Sequence, residues 1–133
     1  MTPSTLGNAM EIGVVTNNIT AMRQFYGEVL ALPFESQLDF PGGSMYRYQL
    51  GGNIIKLVSY GKDTPQHGVP GGGHAACGYR YISFGVADLP SVIANLKDAG
   101  VEITIDVTRF TDTLGFAFVC DPDGNWIELF GGC

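Results

Sequence analysis

Two stretches of the chain repeat the same pattern of apolar and polar positions. GGSMYRYQLGGNIIKL (42–57) and LGFAFVCDPDGNWIEL (114–129) each contain an apolar segment, a glycine-containing polar turn and a second apolar segment, which predicts two β-hairpins. At an offset of 125 − 53 = 72 positions the matched pairs are Gly43 and Gly115, Gly52 and Gly124, Asn53 and Asn125, Ile55 and Ile127, and Leu57 and Leu129.

Each hairpin is preceded by a strand and a helix. In EIGVVTNNITAMRQFYGEVLALPFE (11–35), a strand leads to apolar residues at helical spacing, which are Met22, Phe25, Tyr26, Val29 and Leu30. Either Asn18 or Thr20 is expected to cap this helix. YISFGVADLPSVIANLKDAGVEITI (81–105) follows the same plan, with Asp88 as cap, Pro90 in the first turn, Gly100 at the end, and a stripe of Val92, Ile93, Leu96 and Ala99.

The chain is therefore predicted to be an α+β protein made of two paired βαβββ modules. We expect residues 1–133 to form a single domain, with modules at about 10–60 and 80–131 joined by a Gly/Pro-rich loop at 61–80. One helix covers only one face of each sheet, so the other face needs a second partner. Curved mixed sheets that enclose a central cavity, within one chain or across two chains, satisfy this need.

Strand alternation predicts which side chains line that cavity. Ile55 and Leu57 share one face of their strand, as do Ile127 and Leu129, and these apolar faces are expected beneath the helices. The opposite, mixed faces then present four functional side chains at corresponding positions, which are Glu11, Lys56, Tyr81 and Glu128. For any one of them a solvated side chain on a strand is the simpler interpretation, but all four fall on one predicted surface.

Composition and charge exclude several classes of function. A formal net charge of −6 argues against nucleic acid and anionic membrane surfaces as partners, since both are negatively charged. No apolar run reaches the roughly 18 residues of a membrane span, and MTPSTLGNAM lacks the features of a signal peptide. Three cysteines without CxxC spacing (Cys77, Cys120, Cys133) indicate a reduced, cytoplasmic protein. We expect Cys120 to be a small core residue rather than a catalytic thiol.

Two motifs resemble those of a known family. FYGEVLALPFE (25–35) is similar to the FYxxxLG helix end, and DPDGNWIEL (121–129) to the C-terminal turn and strand, of the vicinal oxygen chelate superfamily, which includes glyoxalases, bleomycin resistance proteins and extradiol dioxygenases. The resemblance covers about residues 10–131. It implies paired βαβββ modules and often a dimer, so a homodimer is expected.

The resemblance also implies where a divalent metal would be held. Metal enzymes of this superfamily carry one ligand at the start of each module's first strand, usually His, and one in each last strand, usually Glu or Gln. Here these positions hold Glu11, Tyr81, Lys56 and Glu128, and only the last keeps the usual residue. A metal-free site is therefore the expectation, and a metal bound by Glu11 and Glu128 is the alternative. His67 and His74 lie in the loop without ligand spacing, and we expect them to be exposed.

Three functions remain open from the sequence. The first is a metal-independent isomerase or lyase in which Glu128 or Glu11 removes a proton next to a carbonyl or phenolic group of a small molecule, and Lys56 or Tyr81 donates to the oxyanion. The second is a drug-binding protein resembling bleomycin resistance proteins. The third is a metal-dependent glyoxalase, epimerase or dioxygenase. In each case the candidate substrate-binding residues are Trp126, Phe130, Tyr46, Tyr48 and Ser83.

Overall fold

The elements follow the predicted order in a computed structural model that describes residue 7 and residues 9–133. The first set consists of β1 (Glu11–Val15), α1 (Ile19–Gln24), a π-helical turn (Phe25–Val29), β2 (Phe34–Phe40), β3 (Gly43–Leu50) and β4 (Asn53–Tyr60). The second set consists of β5 (Tyr81–Asp88), α2 (Leu89–Asp98), β6 (Ile103–Arg109), β7 (Leu114–Cys120) and β8 (Trp126–Gly132). A short 3₁₀ turn, Gly72–His74, lies in the loop between the sets.

Each set forms its own open four-stranded sheet, in the order β1-β4-β3-β2 and β5-β8-β7-β6. In both sheets the first strand runs parallel to the last, and the other neighbours are antiparallel. The described residues fall into two compact units, one ending at Gln66 and one beginning at His67. This confirms the α+β fold with two βαβββ modules, here called module 1 and module 2. No helix in the described part of the chain is long and apolar enough to cross a membrane.

The helix-covered face of each sheet supplies the core of its module. Ile55 and Leu57 of β4 are almost completely buried, and α1 packs against this strand. Ile127 and Leu129 of β8 are equally buried, and α2 packs on their sheet. Full burial of a side chain of this size stabilises the fold by roughly 1.5–3 kcal/mol. The prediction from strand alternation is therefore confirmed for both final strands.

The ends of α2 also agree with the sequence. The Asp88 carboxylate accepts a hydrogen bond from the Ser91 backbone N–H, and Pro90 lies in the first turn. Gly100 follows the helix with a φ of 79°, the left-handed conformation that ends many helices. Ile93 and Leu96 are buried as expected, whereas Ala99 is exposed.

The start of α1 differs from the prediction. Asn18 occupies the cap position, but its side chain makes no capping hydrogen bond. Thr20 lies inside the first turn rather than before it. The hydroxyl of Thr16 instead accepts a hydrogen bond from the Asn18 backbone N–H. Asn18 therefore has the expected N-cap position but does not cap the helix through its side chain, and Thr20 is not a cap. The turn before the helix is closed instead by Thr16, two positions before Asn18.

The second half of the first helix is a π-helical turn that the periodicity did not predict. The Leu30 backbone N–H donates to the Phe25 carbonyl at 2.8 Å, a bond that spans five residues. Phe25 and Tyr26 are buried, but Val29 and Leu30 are only partly so, because the wider turn changes the phase of the apolar stripe. Ala31 then ends the helix with a positive φ of 58°.

Strand register refines the internal repeat. Arg47 lies opposite Lys56, and Phe118 lies opposite Glu128, so Arg47 and Phe118 are structural equivalents although they differ by 118 − 47 = 71 positions. Counted between these equivalent positions, the segment from Phe118 to Glu128 is one residue longer than the segment from Arg47 to Lys56. Gly43 and Gly115, which match in the sequence, consequently do not occupy equivalent positions in the two sheets.

Candidate functional site

The mixed face of module 1 carries a network of charged side chains. Lys56 lies opposite Gly13, and because glycine has no side chain, the Lys56 side chain passes over it towards Glu11. Lys56 Nζ lies 3.6 Å from Glu11 Oε1, and Arg47 Nη2 lies 3.2 Å from Glu11 Oε2. Lys56 and Glu11 thus form an ion pair, and both oxygens of the Glu11 carboxylate face cations.

A β-bulge adds a second carboxylate to this network. Phe34 pairs with Tyr48 and Ser36 pairs with Arg47, so Glu35 is an extra residue in β2. Arg47 Nη1 lies 2.7 Å from Glu35 Oε2. The sequence reasoning missed both Arg47 and Glu35. Arg47 could have been found from the sequence, because the length of a hairpin turn sets the strand register and the two-residue turn at 51–52 places Arg47 opposite Lys56. Glu35 could not, because no local sequence pattern marks the β-bulge.

The mixed face of module 2 places a different carboxylate among aromatic rings. Ser83 lies opposite Glu128, and its hydroxyl donates to Glu128 Oε1 at 2.8 Å. Glu128 is half-buried and forms no ion pair with any residue in the described ranges. Phe118 is its neighbour across the hairpin. This carboxylate is therefore held by a hydroxyl group and not by a cation.

Five rings lie on the same face of module 2 as Glu128, and they are here called the aromatic strip: Tyr81, Phe116, Phe118, Trp126 and Phe130. Phe118 is its centre, with ring centroids 5.1 Å from Tyr81, 5.4 Å from Trp126 and 6.1 Å from Phe116. Phe130 lies opposite Phe116. Tyr81 and Phe130 are 48% and 41% exposed, so the strip presents an open aromatic surface.

The loop between the modules contacts one end of the strip. Gly72 is buried against the Trp126 indole, and a Cβ at this position would lie 2.5 Å from ring carbons. Arg80 holds the segment through hydrogen bonds to the carbonyls of Gly72 and Val69. Part of Trp126 is thus occupied by the loop, and Tyr81 and Phe130 offer the more accessible rings. His67 and His74 are exposed, as expected.

Tyr46 and Tyr48 lie on the other face of their sheet. They pair with Leu57 and Ile55, both of which are in the core beneath α1. Since partners in an antiparallel pair share a face, neither tyrosine is on the mixed face that carries Lys56. The strand register thus separates both tyrosines from Glu11 and Lys56.

The residues of the mixed faces fit a divalent metal poorly. Glu11 already contacts two cations, and a metal there would have to displace Arg47 and Lys56. Within residue 7 and residues 9–133, no three His, Cys, Asp or Glu side chains are grouped so that they could hold a metal ion. The usual donors for such ions are carboxylates and imidazoles, not ammonium groups.

Cys120 behaves as a core residue. Its side chain is buried, and burial together with the nearby Glu102 raises the pKa of the thiol to about 12. A thiol with this pKa is protonated at neutral pH and is a poor nucleophile. Cys77 is exposed, Cys133 is partly buried, and all three cysteines are free.

Comparison with known proteins agrees with the fold and the motifs. The model of the Glyoxalase/Bleomycin resistance protein/Dioxygenase superfamily matches residues 9–129. The uncharacterized protein YaeR of Escherichia coli (strain K12) is 27% identical over 123 residues, which cover 90% of this chain and 92% of that protein. Lactoylglutathione lyase of Pseudomonas aeruginosa is 26% identical over 127 residues, covering 79% of this chain and 71% of that protein.

One solved structure with the same fold is that of a binding protein rather than an enzyme. TnmS3, an antibiotic binding protein from Streptomyces sp. CB03234, is similar with a TM-score of 0.72 and 18% identity, covering 96% of this chain and 98% of that chain. At this level of identity the similarity concerns the fold alone. Enzymes and binding proteins are therefore both represented among the similar proteins.

Proposed function

Since this chain belongs to the Glyoxalase/Bleomycin resistance protein/Dioxygenase superfamily, we propose that it is a metal-independent isomerase or lyase. Its substrate is a small aromatic molecule with a proton next to a carbonyl or phenolic group. The observation that carries this proposal is Glu128, a half-buried carboxylate with a hydroxyl partner, located in the aromatic strip. No cation pairs with Glu128 in the described part of the chain, so the carboxylate is open to contact with a bound ligand.

The geometry favours Glu128 over Glu11 as the base. Glu11 contacts Arg47 through one carboxylate oxygen and Lys56 through the other, so neither oxygen is free to take a substrate proton. Glu11 is better suited to hold Lys56 in position. Glu128, by contrast, is oriented by Ser83 and keeps its second oxygen free of ion pairs in the described part of the chain.

The proposed reaction begins with transfer of a proton to Glu128. The electron pair of the broken C–H bond moves into a new C=C bond, and the carbonyl oxygen becomes an enolate oxygen. Tyr81, two residues before Ser83 on β5, donates a hydrogen bond to this oxygen. Where a C=C bond is conjugated with the enolate, return of the proton to its far carbon completes an isomerisation. Where the carbon β to the carbonyl carries a leaving group, that group departs with the electron pair of its bond and takes the proton from Glu128, which completes a lyase reaction.

An exchange experiment tests this chemistry without knowledge of the natural substrate. The protein is mixed with 2-tetralone in D₂O, and NMR follows replacement of the α-protons by deuterium. We expect exchange faster than in buffer, and a loss of about 100-fold or more in Glu128→Gln, the usual range for removal of a general base. Undiminished exchange in Glu128→Gln would exclude Glu128 as the base.

A second candidate function is binding without chemistry, and the aromatic strip is the observation that favours it. Flat ligands stack on exposed rings such as Tyr81 and Phe130. Trp126 is the chain's single tryptophan, so its fluorescence reports ligands that reach the strip. A ligand that changes Trp126 fluorescence but whose protons never exchange faster than in buffer would favour a binding protein over an enzyme.

We further propose that the working protein is a cytoplasmic homodimer without a bound metal. Three free cysteines suit a reducing compartment, and Glu11 with its two cations fits a metal poorly. Elemental analysis of protein purified without chelators is expected to find no stoichiometric divalent metal, and one metal ion per chain would contradict the proposal. Sedimentation analysis is expected to give twice the mass of one chain.

A further inference from the structure

A cavity lies outside the mixed faces, on the helix side of module 1. It has a volume of about 700 Å³ and is bordered by α1, the π-helical turn, β2 and β3. This volume falls within the usual range for pockets that bind small molecules. The predicted catalytic side chains, Glu11 and Lys56 in this module, do not line it.

The π-helical turn shapes this cavity. Gly27 lies in the middle of the turn, and a Cβ there would be 2.8 Å from Tyr48 Cε1. Absence of a side chain thus lets the helix backbone approach the Tyr48 ring closely. π-helical turns inside α-helices occur often at functional sites, because they carry a cost in stability that a function can offset.

Arg23 is held rigidly at the wall of the cavity. Its Nε donates to the Tyr48 hydroxyl at 3.1 Å, and its Cζ lies 4.2 Å from the Tyr46 ring centroid and 5.4 Å from that of Phe34. No residue of the described ranges accepts a hydrogen bond from its two terminal nitrogens. A planar guanidinium fixed in this way is preorganised for a planar anion, because little side-chain entropy is lost on binding.

The surroundings indicate which anion fits. Phe34 is 50% exposed and supplies a ring surface beside the guanidinium. A carboxylate pairs with the two terminal nitrogens of arginine through parallel hydrogen bonds. Glu28 borders the same cavity and adds a negative charge, which disfavours ligands of higher charge such as phosphate groups.

We propose that this cavity binds a small aromatic monocarboxylate, with its carboxylate on Arg23 and its ring against Phe34. The site is separate from the aromatic strip, and the proposal does not depend on the proposed enzymatic function. Tyr46 and Tyr48, expected from the sequence to bind substrate, here hold Arg23 in place.

The test uses 2-naphthoate as probe and the full chain labelled with ¹⁵N. NMR titration is expected to shift the backbone amides of Gly27, Phe34 and Tyr46. The neutral analogue 2-naphthamide has nearly the same shape and should bind at least about tenfold more weakly, because a hydrogen bond to a charged group is lost. Equal affinity for acid and amide, no binding of the acid at millimolar concentration, or shifts confined to module 2 would overturn the proposal.

Three variants test whether the charges at the cavity determine the affinity for 2-naphthoate. Arg23→Met should weaken 2-naphthoate binding by about tenfold or more, whereas Arg109→Met, an exposed arginine of module 2, should leave it unchanged. Glu28→Gln should tighten binding by about threefold, because a like charge is removed. Weaker binding in Glu28→Gln would contradict the assignment. The comparison of acid with amide needs no variant and stands even if Arg23→Met does not fold.

Discussion

The two modules share one topology but carry opposite chemistry on their mixed faces. Equivalent positions hold Glu11 and Tyr81, Gly13 and Ser83, Arg47 and Phe118, and Lys56 and Glu128. Module 1 presents paired charges, and module 2 presents aromatic rings around one carboxylate. The fold constrains mainly the helix-covered face, where both final strands bury two aliphatic side chains. The mixed face is free to acquire different functions.

This difference has an energetic consequence. Partly exposed ion pairs such as that of Lys56 and Glu11 are each worth roughly 1 kcal/mol or less, and salt weakens them. Aromatic pairs contribute about 0.5–1.5 kcal/mol each beyond the area they bury. We therefore expect the mixed face of module 2 to contribute more to stability than that of module 1.

Phe118→Ala should give the largest effect. The ring contacts Tyr81, Phe116 and Trp126, and its removal should lower the free energy of unfolding by about 2–3 kcal/mol, somewhat less than for a fully buried phenylalanine. Phe110→Ala is the matched control, because Phe110 is exposed and contacts only Phe116 among the described rings. Denaturant unfolding compares the two, and equal losses would show that Phe118 is not the centre of the strip.

Arg47→Met should have a smaller effect, about 1–2 kcal/mol. It leaves Glu11 and Glu35 with Lys56 as the one remaining cation of the network, and the aliphatic part of the side chain is kept. Arg109→Met serves as control, since Arg109 is exposed and bonds only a backbone carbonyl. A loss equal to that of Phe118→Ala would contradict the expected difference between the two faces, and a larger loss would reverse it.

Lys56→Met should change stability least, by about 0.5 kcal/mol, because the pair with Glu11 is long and partly exposed. The difference from wild type should shrink at 1 M salt, where charges are screened beyond about 3 Å. Lys62→Met provides the control, as Lys62 is exposed and forms no ion pair in the described part of the chain. A difference that grows with salt would argue against an electrostatic origin.

Much of the fold was predictable because its signals are local. Alternation in NIIKLV and NWIELF identified the buried faces correctly, and Asp88 and Gly100 marked the ends of α2. The equivalence of Lys56 and Glu128 was visible as a matched position in the repeat. Each of these features is determined by residues that are close together in the sequence, so the spacing of residue types is enough to predict it.

The parts that were missed depend on contacts between distant segments. The π-helical turn at Phe25–Val29 coincides with the close approach of Gly27 to Tyr48, 21 positions later by 48 − 27. Glu35 joins the charged network only because β2 bulges opposite Arg47. The aromatic strip includes Phe116 and Phe118, and no sequence pattern separates these two residues from ordinary core residues. Packing and register, rather than propensity, decide these positions.

The most direct test of the account compares the two carboxylates at the mixed faces. The rate of α-proton exchange of 2-tetralone is measured for wild type, Glu128→Gln and Glu11→Gln under identical conditions. We expect a loss of about 100-fold or more in Glu128→Gln. The loss in Glu11→Gln should stay below about tenfold, because Glu11 contacts Arg47 and Lys56 and has no role in the proposed reaction. A greater loss in Glu11→Gln than in Glu128→Gln would contradict the assignment of the base to module 2.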